Sequence, residues 1–334
     1  MTGCDILALP DCVPIAAYAD ISREEWLRLR LEGLGGSEAG AILGMSNYGT
    51  ALTVVLEKTK RLPPQDMEDN EPVEVGNILE PLIRREIVGP YIEKKLGLAV
   101  VVIDPTHMYR GTLYPWMIIN VDGFLMFPDE LVGLEIKTGS SYMLKYWGGK
   151  DGNEVPDAYY CQVQHYMAGT GLAKWIMFGL IGNQRILRIV PRNEIFIEKL
   201  VEEERGIWEI IQRNDPLYFP LPSGTETELE ALLSIGTPQE ETTADLRDLS
   251  PRIDRYLDLK TEIDDRKGER DRLKAEILLS LGRSKYGETE RHKITLSRFE
   301  TKAFDKSRFA REHPDMLEAY TLRSETGRLY VKAR

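Results

Sequence analysis

Between residues 98 and 138 three apolar runs rich in β-branched residues follow one another: LAVVVID, YPWMIINVDGFLMF and ELVGLEIKT. Strand runs this close together pair into a sheet, and a sheet must bury a face against another layer. The flanking sequence supplies that layer. SREEWLRLRL (22–31) reads as a helix with Ser22 as N-cap and Glu25 three residues on, the capping-box spacing. A glycine-rich stretch, GLGGSEAGAILG (33–44), precedes a second helix over 46–59, and 61–72 is a polar, proline-containing loop. VGNILEPLIRREIV (75–88) is a helix whose inward positions are Ile78, Leu79, Leu82, Ile83 and Ile87, starting or bending at Pro81. VPDAYYCQVQHYMAGTG (155–171) is a helix ended by Gly169 or Gly171. KWIMFGLIG and QRILRIVP form a hairpin, and 193–213 is an amphipathic helix. Asp122-Gly123 and Pro128-Asp129 are turn pairs.

The last strand run raises a chemical question. Glu135 and Lys137 flank Ile136, and alternate residues of a strand share a face. The acid and the base therefore project side by side, while Leu134 and Ile136 point the other way. An isolated E-x-K is ordinarily an exposed strand pair contributing only about 0.2–1 kcal/mol. The alternative is a metal ligand beside a catalytic lysine, and neighbouring residues decide between them. Asp122 lies in the preceding strand region, so antiparallel pairing brings its carboxylate beside that of Glu135. Glu80 has Ile83 and Ile87 at i+3 and i+7, which places it on the inward helix face, where a glutamate needs a partner. Tyr159, Gln162 and Tyr166 share one face of the 155–171 helix, a partly polar core face or a set that positions substrate. Carboxylate oxygens suit hard cations such as Mg²⁺, which lower the pKa of bound water and stabilise a leaving oxygen. A neighbouring lysine offsets phosphate charge or acts on the water. The Ile136 backbone carbonyl is a further candidate ligand.

Composition narrows the class. The 334 residues exceed one small domain, and no run approaches the roughly 18 apolar residues of a membrane span. The N-terminus lacks the basic segment of a secretory signal. Three cysteines (Cys4, Cys12, Cys161) without a CxxC spacing argue for reduced thiols in a cytosolic compartment and against zinc. The four histidines, His107, His165, His292 and His313, form no cluster for zinc or a serine triad. A net charge of −11 argues against nucleic acid when taken alone, yet a basic groove can be local on an acidic protein.

The order GNILEP, VDGF, LEIKT, YYCQVQHYMAGTG resembles the PD-(D/E)xK nuclease superfamily, and within it the YqaJ-type viral recombinase, phage lambda exonuclease-like family. GLGGSEAGAILGMSNYGT and KAFDKSRFAREHPDMLEAY are similar to that family too, so the resemblance spans nearly the whole chain. One departure is V-D in place of P-D, with Asn120 and Val121 before Asp122. The resemblance implies Mg²⁺-dependent (or Mn²⁺-dependent) 5′-to-3′ digestion of one strand of linear double-stranded DNA, with one or two ions per active site. The resulting 3′ overhang would serve a single-strand annealing protein. It implies that Asp122, Glu135 and the Ile136 carbonyl hold metal, Glu80 a second metal or its water, that Lys137 acts on the nucleophile and that Gln162 supports it. Arg30 and Ser37 have the spacing of the family's 5′-phosphate site, with Tyr159 at the DNA. Read without the family, Arg30 is a solvated helix residue and Ser37 an N-cap.

The expected fold class is α/β: a PD-(D/E)xK core with a central mixed sheet of about five strands flanked by helices, spanning residues 1–215. Pro, Gly, Ser, Thr and acidic clusters place a linker at 216–248. A C-terminal module follows over 249–334. It opens with a charged helix carrying a narrow stripe (Ile253, Tyr256, Leu257, Ile263, Leu273, Ile277, Leu278, Leu281), then strand, helix, strand, and is expected to mediate oligomer or partner contacts. The family's processive members lead to a homo-oligomeric ring, trimer or tetramer, acting in the bacterial cytoplasm without a membrane. Rival readings are a structure-specific or restriction-type endonuclease, a non-catalytic DNA-binding protein, and a carboxylate-metal site acting on a small molecule.

Overall fold

The computed structural model describes residues 9–63, 70–149, 152–235, 243, 245–298, 305–321 and 329–332. The chain divides into two units, residues 1–235 and 236–334. The first runs β1 (Cys12–Ala17), α1 (Arg23–Leu31), β2 (Leu34–Gly35), α2 (Gly36–Ile42), α3 (Ala51–Lys58), α4 (Glu71–Leu82), a π-helical turn (Ile83–Val88) and α5 (Gly89–Leu96). Strands β3 (Val101–Ile103), β4 (His107–Gly111), β5 (Met117–Ile119), β6 (Gly123–Met126) and β7 (Leu131–Gly139) follow, then a 3-10 helix (Ser141–Trp147). The unit ends with α6 (Asp157–Thr170), β8 (Lys174–Ile181), β9 (Gln184–Pro191), α7 (Glu194–Arg213) and α8 (Glu226–Ile235).

The central sheet has five strands in the order β3-β6-β7-β8-β9. It is mixed: β7 and β8 run parallel, and the other neighbours are antiparallel. A parallel pair needs a long crossover, and α6 provides it. β7 is covered on both faces, which is why its sequence reads as a nearly unbroken apolar run. On one face Leu134, Ile136, Leu125 and Phe178 pack with Ile83, Val88 and Ile92 of the α4–α5 segment. On the other, Phe124, Trp175 and Met177 pack with Val163, Tyr166 and Met167 of α6. Helix α7 closes that side with a strongly apolar stripe including Ile197, Leu200 and Val201.

Local expectations hold where the signal is local. Ser22 caps α1 by accepting from the Glu25 amide. Gly171, at φ +78°, ends α6 in the left-handed region that favours glycine. β8 and β9 form the expected hairpin, and Phe127 N–H to Glu130 C=O closes the turn at Pro128-Asp129.

Other elements differ from expectation. The run YPWMIINVDGFLMF is not one strand. It breaks at Asn120–Asp122, and its halves enter different sheets. β5 joins a second, four-stranded sheet in the order β1-β4-β5-β2. Helix α4 begins at Glu71, ahead of the expected start, because Asn70 caps it by accepting from the Val73 amide. Pro81 lies inside it, and the π turn that follows is bracketed by Pro81 and Pro90, each of which removes a backbone donor. Ile78 and Leu82 are exposed rather than inward-facing. Ser37 sits within the first turn of α2, not at its cap, which is Gly35. Residues 216–235, expected as the start of a linker, hold a 3-10 turn and α8, whose Glu228 accepts from the Thr50 hydroxyl at 2.6 Å.

The second unit contains α9 (Ser250–Leu281), β10 (Tyr286–Glu288), β11 (Lys293–Thr295), α10 (Lys306–Glu312) and α11 (Pro314–Ala319). β10 and β11 are an antiparallel hairpin. The strand expected over GRLYVKAR lies partly outside the described residues, and 329–332 are not in a strand. No helix is long and apolar enough to cross a membrane among the described residues.

Candidate active site

Register explains why the two carboxylates meet. Gly123 pairs with Leu134 across the β6–β7 ladder, so Asp122, just before β6, lies opposite the continuation of β7. Its Oδ2 accepts from the Ile136 amide at 2.7 Å. A residue in an extended strand sends its N–H and C=O to the same edge. The Ile136 carbonyl therefore faces the edge occupied by Asp122.

Glu135 and Lys137 share the α6 face of β7, as alternation requires. Glu135 is 2% exposed. Its Oε1 accepts from Lys137 Nζ at 2.6 Å and from Gln162 Nε2 at 2.7 Å. Its Oε2 is buried without a hydrogen-bond partner. A buried acceptor left unpaired costs roughly 1–3 kcal/mol and calls for an explanation. The ordinary surface-pair reading of E-x-K is thereby excluded, since Glu135 is buried and Lys137 only partly exposed. Gln162 also donates to the Tyr166 hydroxyl at 3.1 Å. Tyr159 lies beneath Lys137, with Nζ 4.8 Å from the ring centroid, so it steadies the ammonium.

The electrostatics follow from this crowding. Burial, then the charges of Glu135 and Glu80, push the Asp122 carboxyl well above the usual range. Burial raises Glu135 as well, opposed by Lys137. Burial pulls the Lys137 ammonium down, but Glu135 and Asp122 outweigh it and the group is held charged. A strained pair of carboxylates with an orphan oxygen and a carbonyl on the same edge is a donor set that fits a hard divalent cation. Asp122, Glu135 and the Ile136 carbonyl are the residues that could hold it.

Glu80 departs from expectation. It is half-exposed rather than buried, and its partner is Arg84, at 2.6 Å. Among the described residues no three Asp, Glu, His or Cys side chains converge closely enough to hold a metal ion. Glu80 is near enough to raise both other carboxyls but is drawn toward Arg84.

Arg30 and Ser37 are brought together: Arg30 Nη2 donates to Ser37 Oγ at 2.9 Å. Glu38 accepts from the Gly35 amide at 2.8 Å and from the buried Lys58 ammonium at 2.8 Å. Lys58 thus offsets the Glu38 charge, while Arg30 stands 3.8 Å from Glu38. Tyr166 feels both Glu135 and Arg30, so the Arg30–Ser37 pair and the carboxylates border one region. Gly36 permits this: a Cβ there would lie 2.6 Å from Tyr166 Cε1.

Residues that sequence reasoning missed are Arg84, Asp104, Tyr18 and Asn120. Tyr18 donates to Asn120 Oδ1 at 3.0 Å, beside Asp122. No periodic signal marks any of them. Cys12 and Cys161 are buried, and burial pushes their thiols up to about 12 and about 11, so neither is a ready nucleophile. Cys4 lies outside the described residues.

Residues 25–173 match the YqaJ-like viral recombinase domain. That span contains every site residue described above from Arg30 to Gln162. The chain is 26% identical to the uncharacterized protein YqaJ of Bacillus subtilis (strain 168) over 329 residues, covering 95% of this chain and 97% of that one. Among solved structures it is similar to an alkaline exonuclease from Laribacter hongkongensis (20% identity, TM-score 0.46, 57% of this chain and 93% of that one). It is also similar to a phage-related exonuclease from Haemophilus somnus 129PT (14% identity, TM-score 0.41, 54% and 94%).

Proposed function

We propose that this chain, which carries a YqaJ-like viral recombinase domain over residues 25–173, is a divalent-metal-dependent deoxyribonuclease that resects the 5′-ended strand of linear duplex DNA. The observation that carries the reading is the buried Glu135 carboxylate, joined by the partly buried Asp122 and Lys137, with Gln162 behind it and one oxygen unpaired. Asp122, Glu135 and the Ile136 carbonyl would hold the ion, Mg²⁺ or Mn²⁺. When bound it would acidify water and stabilise charge on the leaving oxygen.

The protein's own groups do the rest. Lys137, held as an ammonium, donates to and neutralises oxygen on the phosphate or the attacking water; in this state it is a charge donor and not a base. Gln162 fixes the Glu135 carboxylate, and the Tyr159 ring steadies the Lys137 ammonium. Water adds to phosphorus while the bond from phosphorus to the 3′ oxygen of the terminal nucleotide breaks and that oxygen takes up a proton. The shortened strand then carries a new 5′ phosphate. Arg30 and Ser37 suit that terminal phosphate, the guanidinium through two donors and the serine through its hydroxyl. Repetition leaves a 3′ overhang, the substrate of a single-strand annealing protein. A homo-oligomeric ring belongs to the same reading and rests on the family resemblance.

The test is digestion of linear duplex DNA with Mg²⁺, 5′-phosphorylated against 5′-hydroxyl, with closed circular DNA and Lys137→Ala as controls. Loss of the phosphorylated linear strand alone, abolished by Lys137→Ala, is expected. Cutting of the circle would indicate an endonuclease. Absence of digestion with either metal would leave a binding protein.

A further inference from the structure

Arg84 occupies the junction between the carboxylates and the start of β6. Its Nη1 donates to Glu80 Oε1 at 2.6 Å and to the Asp122 backbone carbonyl at 2.7 Å. Its Nε donates to Asp104 Oδ1 at 2.8 Å. The other Asp104 oxygen accepts from Arg85 Nε and Nη2 at 3.0 and 2.8 Å. Two features of the backbone admit this buried guanidinium. The π turn Ile83–Val88 carries Arg84 on a widened helix. Gly123 leaves it room, since a Cβ there would lie 3.0 Å from Arg84 Cδ and 3.1 Å from the Ile103 carbonyl.

The arrangement sets Arg84 alone on Glu80, and Arg84 and Arg85 together on Asp104. Arg84 cannot lose its proton, and its side chain is only 8% exposed, so its hold on Glu80 is little screened. Because the same Nη1 also donates to the Asp122 backbone carbonyl, Glu80 is held beside the Asp122–Glu135 pair. Yet Glu80 does not join them as a third ligand among the described residues. A carboxylate engaged at 2.6 Å by arginine must leave it before it can ligate an ion. Asp104 and Arg85 tune that hold: Asp104 shares the Arg84 charge, and Arg85 holds Asp104 in place.

We propose that Arg84 and a divalent cation compete for the carboxylate of Glu80, so that Glu80 is an exchangeable ligand and Arg84 the positioning residue that sets how readily the site takes up its more weakly held ion. The proposal rests on the metal-dependent reading given above. If Arg84 holds Glu80 about nine-tenths of the time, apparent affinity for that ion is reduced about tenfold, the fraction of competent protein.

The experiment is titration of the full chain, free of DNA, with Mn²⁺ by calorimetry. The variants are Arg84→Met and Asp104→Asn, each with Glu80 intact and in a Glu80→Gln background. Removing Arg84 should tighten the weaker Mn²⁺ step about tenfold when Glu80 is intact. In the Glu80→Gln background the change should be under about twofold, because no competition remains. Asp104→Asn concentrates the Arg84 charge on Glu80 and should weaken the same step a few-fold, again only when Glu80 is intact. Asp104 is 42% exposed, so this variant keeps the question open to measurement if Arg84→Met fails to fold. Equal effects in both backgrounds would mean a general field effect and would overturn the competition while leaving the metal site standing. No change on either substitution would overturn it too. If wild type and Asp104→Asn both bind no Mn²⁺, the metal-dependent reading fails and this proposal fails with it.

Discussion

Gly36→Ala tests whether the closeness of α2 and α6 builds the site. A Cβ at Gly36 would lie 2.6 Å from Tyr166 Cε1, 2.9 Å from Cζ and 3.2 Å from Gln162 Cγ. The Tyr166 ring cannot retreat. It is 3% exposed and packs against Trp175 and His165 at centroid distances of 5.3 and 5.8 Å. Helix α2 must therefore move away by about 1 Å to restore ordinary carbon contact. Overpacking of this kind costs about 1–3 kcal/mol. The higher helix propensity of alanine returns up to about 1 kcal/mol, so a net loss of about 1–2 kcal/mol is expected. The assay is equilibrium urea unfolding, where the midpoint should fall with the slope unchanged. Gly206→Ala is the control: that glycine is in α7 with nothing within 4 Å of a built Cβ, so the same substitution should stabilise. Because Ser37 is the next residue, the displacement also stretches its 2.9 Å bond to Arg30, and any preference for 5′-phosphorylated ends that the proposed function entails should weaken. A midpoint for Gly36→Ala equal to or above wild type, or an equal loss for Gly206→Ala, would refute the packing argument.

Glu57 is pushed from 4.5 up to about 7 by burial and then by Glu38. A carboxyl raised in the folded state keeps its proton after the unfolded chain has lost it, so stability falls as pH rises from about 4.5 to about 7 and is flat above. The full difference corresponds to about 3 kcal/mol; because the residue is only partly buried, solvent screening leaves about 1 kcal/mol. Glu57→Gln should stabilise by that amount at pH 8 and not at pH 4 in urea unfolding, and a constant difference at both would refute this. His165 and Glu204 form a fully buried pair at 2.7 Å, and His165 Nε2 also faces the Ile118 carbonyl at 3.3 Å. Both partners are acceptors, so the ring is an imidazolium; burial lowers its pKa but Glu204 outweighs this and raises it above 6.5. Its contribution is complete below the unfolded value and is lost as pH rises through the folded one. Glu204→Gln should therefore cost about 3–5 kcal/mol at pH 6 and less at alkaline pH, and a loss that grows with pH would contradict the assignment.

The parts of the site that were legible in the sequence are those written in a local period. Alternation along β7 puts Glu135 and Lys137 on one face, the strand-turn-strand order puts Asp122 opposite, and the i, i+3, i+7 spacing of Tyr159, Gln162 and Tyr166 holds because α6 is an unbroken helix. Glu80 was misplaced where the period changes. Counting Ile83 and Ile87 from it assumes 3.6 residues per turn, but Pro81 and the π turn intervene, and Ile78 and Leu82 end in solvent. The second sheet escaped notice for a related reason: β2 has two residues, and β4 reads as HMYRG, neither long enough to show alternation. Arg84 carries no local signal at all. In the string IRRE it looks like one of two solvated arginines, and its neighbour Arg85 is just that, with a side chain 62% exposed. What separates them lies elsewhere in the chain: a missing Cβ at Gly123, a carbonyl at Asp122 and a carboxylate at Asp104. A buried arginine is defined by its acceptors, and acceptors gathered from two distant segments leave no mark on the sequence around it. For that reason a motif of this type does not announce the residue that holds its ligands in place.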